Sequence, residues 1–291
     1  SKTVLATLYN TLTTAALVWR DFDPDFTGKQ GATVNVRKPA VFTANEFVRA
    51  SGITIQDADE DSTSVVLDKI ADVSFAVTAE ELTLQMDDFD GRLLSPAAEA
   101  IAQKIDGDLA EKLVDAAESV GGGGTVSASQ TVPQSAMVDA RTVLTRNKIP
   151  LTQRYAIWSP ESIGSILKTD LFNNVDKSGS TDALYEANVG RKFGIDHYES
   201  QVLGRGPDDK GQADGIVFHR HAVALASRLL ETPRGVSAGQ VSTNDYKGLG
   251  LRVTLAYDIT KKQDVCSVDF LYGITTLSKE AAVQADLGWG S

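Results

Sequence analysis

The sequence predicts an α+β protein built from one dominant helix, a mixed α/β body and strand-rich arms that cannot bury themselves. Three observations carry this. Apolar residues repeat at spacings of four and three from Ile101 to Val120, which is helical periodicity. Residues alternate with a period of two in Thr33–Arg37 and again in Val73–Val77, on either side of a polar, acidic stretch. Strand patterning then returns near the end, in residues 250–259 (GLRVTLAYDI) and 265–275 (VCSVDFLYGIT).

In chain order, residues 3–18 set Leu5, Leu8, Leu12, Ala16 and Leu17 among Thr and Asn, a spacing that suits a short amphipathic helix of poor intrinsic propensity. This reads as an arm that gains order by packing on something else. Residues 20–31 (RDFDPDFTGKQG) form a breaker-rich connector. The alternation at Val34 and Val36 and at Val73, Phe75 and Val77, joined by a charged middle at 56–62, predicts a projecting hairpin that needs a neighbour to lean on. Ser95 suits an N-cap and Pro96 a first helical position. The stripe Ile101, Ile105, Leu109, Leu113, Ala116, Val120 then predicts a helix ending at Gly121–Gly124, read as a hinge, with Asp108 lying off the apolar face.

A second helix is expected over 135–147, a buried strand at Tyr155–Trp158, and a third helix after Ser159-Pro160 through Leu167. Residues 170–190 and 203–214 read as polar loops, Ile216–Phe218 as core strand, and the two terminal strands flank a turn at Lys261-Lys262.

The chain has 291 residues, 42% of them hydrophobic and 23% charged, enough for real cores and unlike a disordered composition. It carries 28 Lys and Arg against 39 Asp and Glu, a formal charge of −11. That balance argues against a tight nucleic-acid grip, which needs a basic face. No apolar run approaches bilayer length, no signal-peptide pattern opens the chain, and the lone Cys266 forms no intrachain disulfide, so synthesis in the cytoplasm is expected.

Each pattern that suggests chemistry lacks a partner. Gly235-Val236-Ser237-Ala238-Gly239 matches a nucleophile elbow, but its base histidine should follow Ser237, and the last histidine is His221. Asp57, Asp59, Asp61 and Asp68 approach calcium-loop spacing, with Ser62 where Gly is needed and Asp in place of the final Glu. His219 and His221 could share a metal, yet His197 and Cys266 are isolated. Asp87, Asp88 and Asp90 read as a solvated turn, and Cys266 as a small buried residue in a strand. The expectation is a protein that is no enzyme, with no catalytic residue, no cofactor and no metal site.

The order of elements, with residues 28–39 (GKQGATVNVRKP) leading into the hairpin, 138–144 (VDARTVL) before the body, and Asp258 with 268–277 near the end, resembles the Hong Kong 97 fold of tailed-bacteriophage major capsid proteins, closest to the actinobacterial-phage type. The resemblance spans nearly the whole chain. It implies an N-terminal arm at 1–30, an extended loop at 31–80, a peripheral domain with the spine helix at 81–125, an axial domain at 126–247, and returning strands of the peripheral domain at 248–291.

It further implies self-assembly into pentamers and hexamers of an icosahedral shell, with a scaffolding protein and a portal, and room for a decoration protein. Double-stranded DNA would be enclosed but not specifically bound, no membrane would be involved, and the mature location would be the virion. Some family members carry Lys–Asn cross-links; Lys38 and Lys69 lie in the hairpin region, but nothing identifies their partners, so no cross-link is predicted. No scaffolding segment is expected ahead of the arm, which implies a separate scaffolding protein, although a segment removed by processing would leave the same sequence. An encapsulin-type cellular compartment shell has the same fold and stands as an alternative. A serine hydrolase using Ser237 and a calcium-stabilised fibre are alternatives of other classes. If the hairpin carries assembly, deleting residues 50–63 should leave a folded body that cannot close shells.

Overall fold

The helical stripe forms the longest helix of the described chain. The computed structural model describes residues 12–20, 33–37, 62–78, 93–169, 189–204, 211–230, 241–246, 249–261 and 263–288, with Ala44 and Arg49. A short helix α1, Thr14–Leu17, comes first, then the strands β1 (Thr33–Arg37), β2 (Ser62–Val66) and β3 (Lys69–Thr78). The spine helix α2 is Ser95–Glu118, 24 residues and about 36 Å long. Two smaller helices follow, α3 (Gln134–Arg146) and α4 (Pro160–Lys168).

Around them run β4 (Thr125–Ser127), β5 (Arg154–Trp158), β6 (Arg191–Lys192), β7 (Ile195–Glu199), β8 (Leu203–Gly204), β9 (Gly211–Gln212), β10 (Gly215–His219), β11 (Val223–Arg228), β12 (Val241–Tyr246), β13 (Leu249–Asp258), β14 (Gln263–Thr276) and β15 (Ala282–Asp286).

The strands form two main sheets. A six-stranded mixed sheet runs β4-β15-β10-β5-β7-β6. The other sheet is organised on β14, whose 14 residues pair with β3 along one edge and with β13 and then β11 along the other, with β12 outside β13. The spine helix packs on β14 and β3 of one sheet and on β15 and β10 of the other. Ile101, Ile105, Leu109 and Leu113 therefore share one core with Val268, Phe270 and Leu251 on one side and Ile157, Ile216 and Phe218 on the other. Burying each such side chain contributes roughly 1.5–3 kcal/mol, so the helix is the element that joins the two sheets. A second core gathers Trp158, Val217 and Val283 with Met137 and Leu144 of α3 and Ile166 of α4. Gly215 is required there, because a Cβ would overlap the Trp158 ring.

Several expectations need correction. The hairpin legs are β1 and β2, antiparallel with Thr33 opposite Val66, whereas β3 pairs with β14 and belongs to the body. Alternation marks a strand but not its partner, and β3 finds its partner about 190 residues away. Ser95 is the first residue of the helix and not its cap; a wider π-type turn at Leu93 and Leu94 precedes it. The helix stops at Glu118, so Val120 lies beyond its end, 98% exposed, while Asp108, expected off the apolar face, is buried.

The glycine run is no hinge. Gly121 takes a φ of +85°, Gly123 donates its N–H to the Ala282 carbonyl at 3.1 Å, and a Cβ on Gly123 would collide with that carbonyl. The run is a pinned turn that delivers β4 to β15. The segment expected as a loop at 203–214 contains the parallel pair β8–β9. Ser159 does cap α4, accepting the N–H of Ser162 at 3.3 Å.

Candidate assembly surface

Two neighbouring carboxylates of the spine helix bind two segments that are far away in sequence. Asp106, 6% exposed, accepts the backbone N–H groups of Thr13 at 2.8 Å and Ala15 at 3.0 Å. Those donors are the otherwise unsatisfied first turn of α1, so a side chain of another helix serves as its cap. Burial pushes the Asp106 carboxyl up to about 6, against the opposing effect of the N–H donors from Thr13, Ala15 and Thr14. Beside this anchor lies a cavity of about 380 Å³ lined by Thr13, Gln103, Asp106 and the 199–202 turn.

Two residues further on, Asp108 accepts the Tyr272 hydroxyl at 2.7 Å and the Lys69 ammonium at 3.1 Å, with Lys104 at 3.8 Å. Its pKa falls: burial pushes it up, but the Tyr272 and Lys69 hydrogen bonds and the two lysine charges outweigh that. Tyr272, correspondingly, is driven well above the ordinary phenol range by burial and by Asp108. One carboxylate thus fastens the spine helix to β14 and to the start of β3.

The N-terminal segment continues along β11. Trp19 donates its backbone N–H to the Val223 carbonyl at 3.2 Å, and its carbonyl accepts the N–H of Leu225 at 3.0 Å, adding one residue of parallel strand to that edge. The Trp19 ring meets His221 edge-on at 4.3 Å, and the Arg220 guanidinium lies over it at 5.3 Å. Trp19 also packs on a small apolar cluster of Val65, Leu67, Leu271 and Leu277. This cluster is the root of the hairpin, where β2 crosses β14 so closely that a Cβ on Gly273 would strike the Val66 carbonyl. The N-terminal segment and the hairpin root are thereby seated on the same end of β14.

On the polar side of that sheet, Arg252 donates through Nε and Nη2 to one oxygen of Asp269, at 3.0 and 2.6 Å. The Ser267 hydroxyl lies 2.9 Å from both Asp72 and Asp269. These contacts order the β3, β14 and β13 strands laterally.

Of the residues singled out in the sequence, Ser237 with the whole 235–239 motif, Asp57, Asp59, Asp61, Asp87, Asp88, Asp90 and Lys38 lie outside the described residues. Asp68 is exposed and next to Lys69, which pairs with Asp108. His219 and His221 do come together, with ring centroids 5.1 Å apart, but the backbone N–H of His221 donates to Nδ1 of His219 at 3.2 Å and occupies that lone pair. Burial, with the His221 and Arg154 charges nearby, lowers His219 to about 4. His197 sits elsewhere, its Nδ1 accepting the Trp158 indole N–H at 2.9 Å, and burial lowers it to about 4.

Cys266 is buried in β14 and its thiol is pushed up to about 11, which leaves it unreactive. Among the described residues no three His, Cys, Asp or Glu side chains gather as metal ligands, and no helix is long and apolar enough to cross a membrane. Asp106 and Tyr272 were missed by sequence reasoning. The available signal was a carboxylate at Asp106, directly after Ile105, on a helix whose buried face turns out to be wide.

The family model described as phage capsid protein matches residues 59–266. The fold is similar to that of a chain from Mycobacterium phage Che8, with a TM-score of 0.69, 16% identity, and coverage of 95% of this chain and 91% of that one. It is similar also to a chain in the asymmetric unit of the bacteriophage PhiM1 mature capsid, with a TM-score of 0.66, 14% identity and coverage of 96% and 87%. A virus-like particle from Pyrococcus furiosus matches with a TM-score of 0.53, 12% identity and coverage of 98% and 96%. Among curated proteins no sequence match is found.

Proposed function

The chain belongs to the phage capsid protein family, and on that premise we propose that it assembles through pentamers and hexamers into an icosahedral shell enclosing double-stranded phage DNA. It is a structural subunit of the capsid, and so of the virion. The observation that carries the finer reading is the outer leg of the hairpin, β1, since β2 is already seated on β14 and β11. Among the described residues β1 pairs with β2 alone, in a two-stranded sheet of five residue pairs. Beyond the root that packs on β14, such a ribbon is marginal in water and becomes stable when a further surface covers it. In a closed shell the neighbouring subunit supplies that surface, and copies related by five- or six-fold rotation supply it to one another.

The division into an arm at 1–30, an extended loop at 31–80, a peripheral domain at 81–125 and 248–291 and an axial domain at 126–247 belongs to the same proposal, with its edges moved by strand pairing: β3, β11 and β12 join the β14 sheet, and β15 joins the six-stranded sheet. So do a scaffolding protein that guides closure, a portal, synthesis in the host cytoplasm, and a role without catalysis. The excess of 39 acidic over 28 basic residues suits a wall that holds DNA without adhering to it. The cellular-compartment alternative has less support, because the matching family model is that of phage capsids.

The test is a shortened hairpin. Ser62 and Thr63 pair with Arg37 and Val36, so the cut should spare them and remove 50–61 only. The variant should melt within about 2 °C of the intact chain yet form no closed particles by electron microscopy; normal particles would refute the role given to the hairpin.

A further inference from the structure

The six-stranded sheet has two edges, β4 and β6, and the β6 edge ends in an unusual turn. Lys192 pairs with Ile195, leaving Phe193 and Gly194 as a two-residue hairpin loop. Both have positive φ, +52° at Phe193 and +80° at Gly194, the type I′ pattern. Asn-Gly and Asp-Gly suit that turn, since Asn and Asp tolerate left-handed backbone and a bulky side chain does not. Three non-glycine residues have positive φ among the described residues, and Phe193 is the one aromatic; the others are Lys148 and Gln153. The ring is not hidden in compensation, for Phe193 is 38% exposed. The charges at the base of the turn pair with each other, Arg191 to Asp196 at 3.7 Å. A strained backbone that presents an aromatic to solvent serves poorly as local structure and well as a contact.

We propose that Phe193 is an anchor between copies of this chain, inserted by the β6 edge of one subunit against the β4 edge of the next. The inference rests on the shell reading above. A ring of identical copies needs two different complementary surfaces on each subunit, and opposite ends of one sheet provide them. At the β4 end, α3 packs over β4 and β15, and the exposed apolar side chains there include Val132 and Val138. They are the surface against which Phe193 of the neighbour closes.

The proposal makes stability and assembly move in opposite directions. Phe193→Asn gives the turn its favoured residue and removes the ring, so the unassembled subunit should melt about 2–4 °C higher. Its yield of rings and shells, read by electron microscopy and sedimentation, should nevertheless fall at least tenfold. Phe193→Tyr should assemble as the wild type does. Val138→Arg should reproduce the assembly loss from the acceptor side without lowering the melting temperature. Normal assembly of Phe193→Asn overturns the inference while leaving the shell reading intact. A Phe193→Asn subunit that melts below the wild type overturns it too, since the ring would then be serving its own fold. Normal assembly by Val138→Arg overturns the assignment of the β4 edge. A wild-type chain that never forms rings or shells removes the shell reading and this inference together.

Discussion

The Tyr272 hydroxyl donates a 2.7 Å hydrogen bond to the Asp108 carboxylate, joining β14 to the spine helix across 164 residues of sequence. Both groups are buried, and the acceptor is charged. Removing the donor leaves Asp108 with the two lysines alone. Hydrogen bonds to charged groups contribute about 1.5–3 kcal/mol, so Tyr272→Phe should lower the unfolding free energy by that amount. A urea titration checks this; a midpoint that does not move would show that Lys69 and Lys104 suffice.

The second anchor is Asp106, which holds Thr13 and Ala15. Losing a side-chain cap costs about 0.5–2 kcal/mol. Asp106→Ala should therefore free the N-terminal segment while the body stays folded, and trypsin should cut after Arg20 up to about tenfold faster than in the wild type. Unchanged cleavage would mean that Trp19 on β11 holds the segment unaided.

Acid should weaken the six-stranded sheet through His197. Burial depresses this histidine from 6.5 to about 4, so the fold prefers its neutral form. The sign follows: its contribution is present above pH 6.5 and is lost as the pH falls toward 4, where the unfolded chain takes up the proton first. The full difference is on the order of 3 kcal/mol. In His197→Gln that loss disappears, and the variant's melting temperature should fall less than the wild type's between pH 7.5 and pH 5. Part of the dependence should remain, because His219 is lowered in the same direction. Identical slopes in the two proteins would place the acid sensitivity elsewhere.

What the sequence disclosed divides along physical lines. The spine helix was legible because Ile101, Ile105, Leu109 and Leu113 repeat over about three turns, and α4 because Ser159-Pro160 is a local signal that acts on the next residues. Pairing between distant strands was not. Val73, Phe75 and Val77 alternate as any half-buried strand does, and nothing in them names β14 as partner in place of β1. The strand β2 reads STSVV, a weak pattern that the stronger β3 concealed. The glycine run looked free because the Ala282 carbonyl that pins Gly123 lies 159 residues away. Asp106 and Asp108 were obscure for a related reason: a carboxylate counts as surface until its donors, here Thr13 and Tyr272, arrive from other parts of the chain. The family, by contrast, was carried by the order of elements, which survives errors of pairing.

The central claim, a subunit completed by copies of itself, is tested most directly by the assembly state of the purified intact chain under the electron microscope. Closed particles, or rings with five- and six-fold symmetry, are the predicted result. A chain that stays monomeric across salt, pH and concentration, with its hairpin intact, would contradict it.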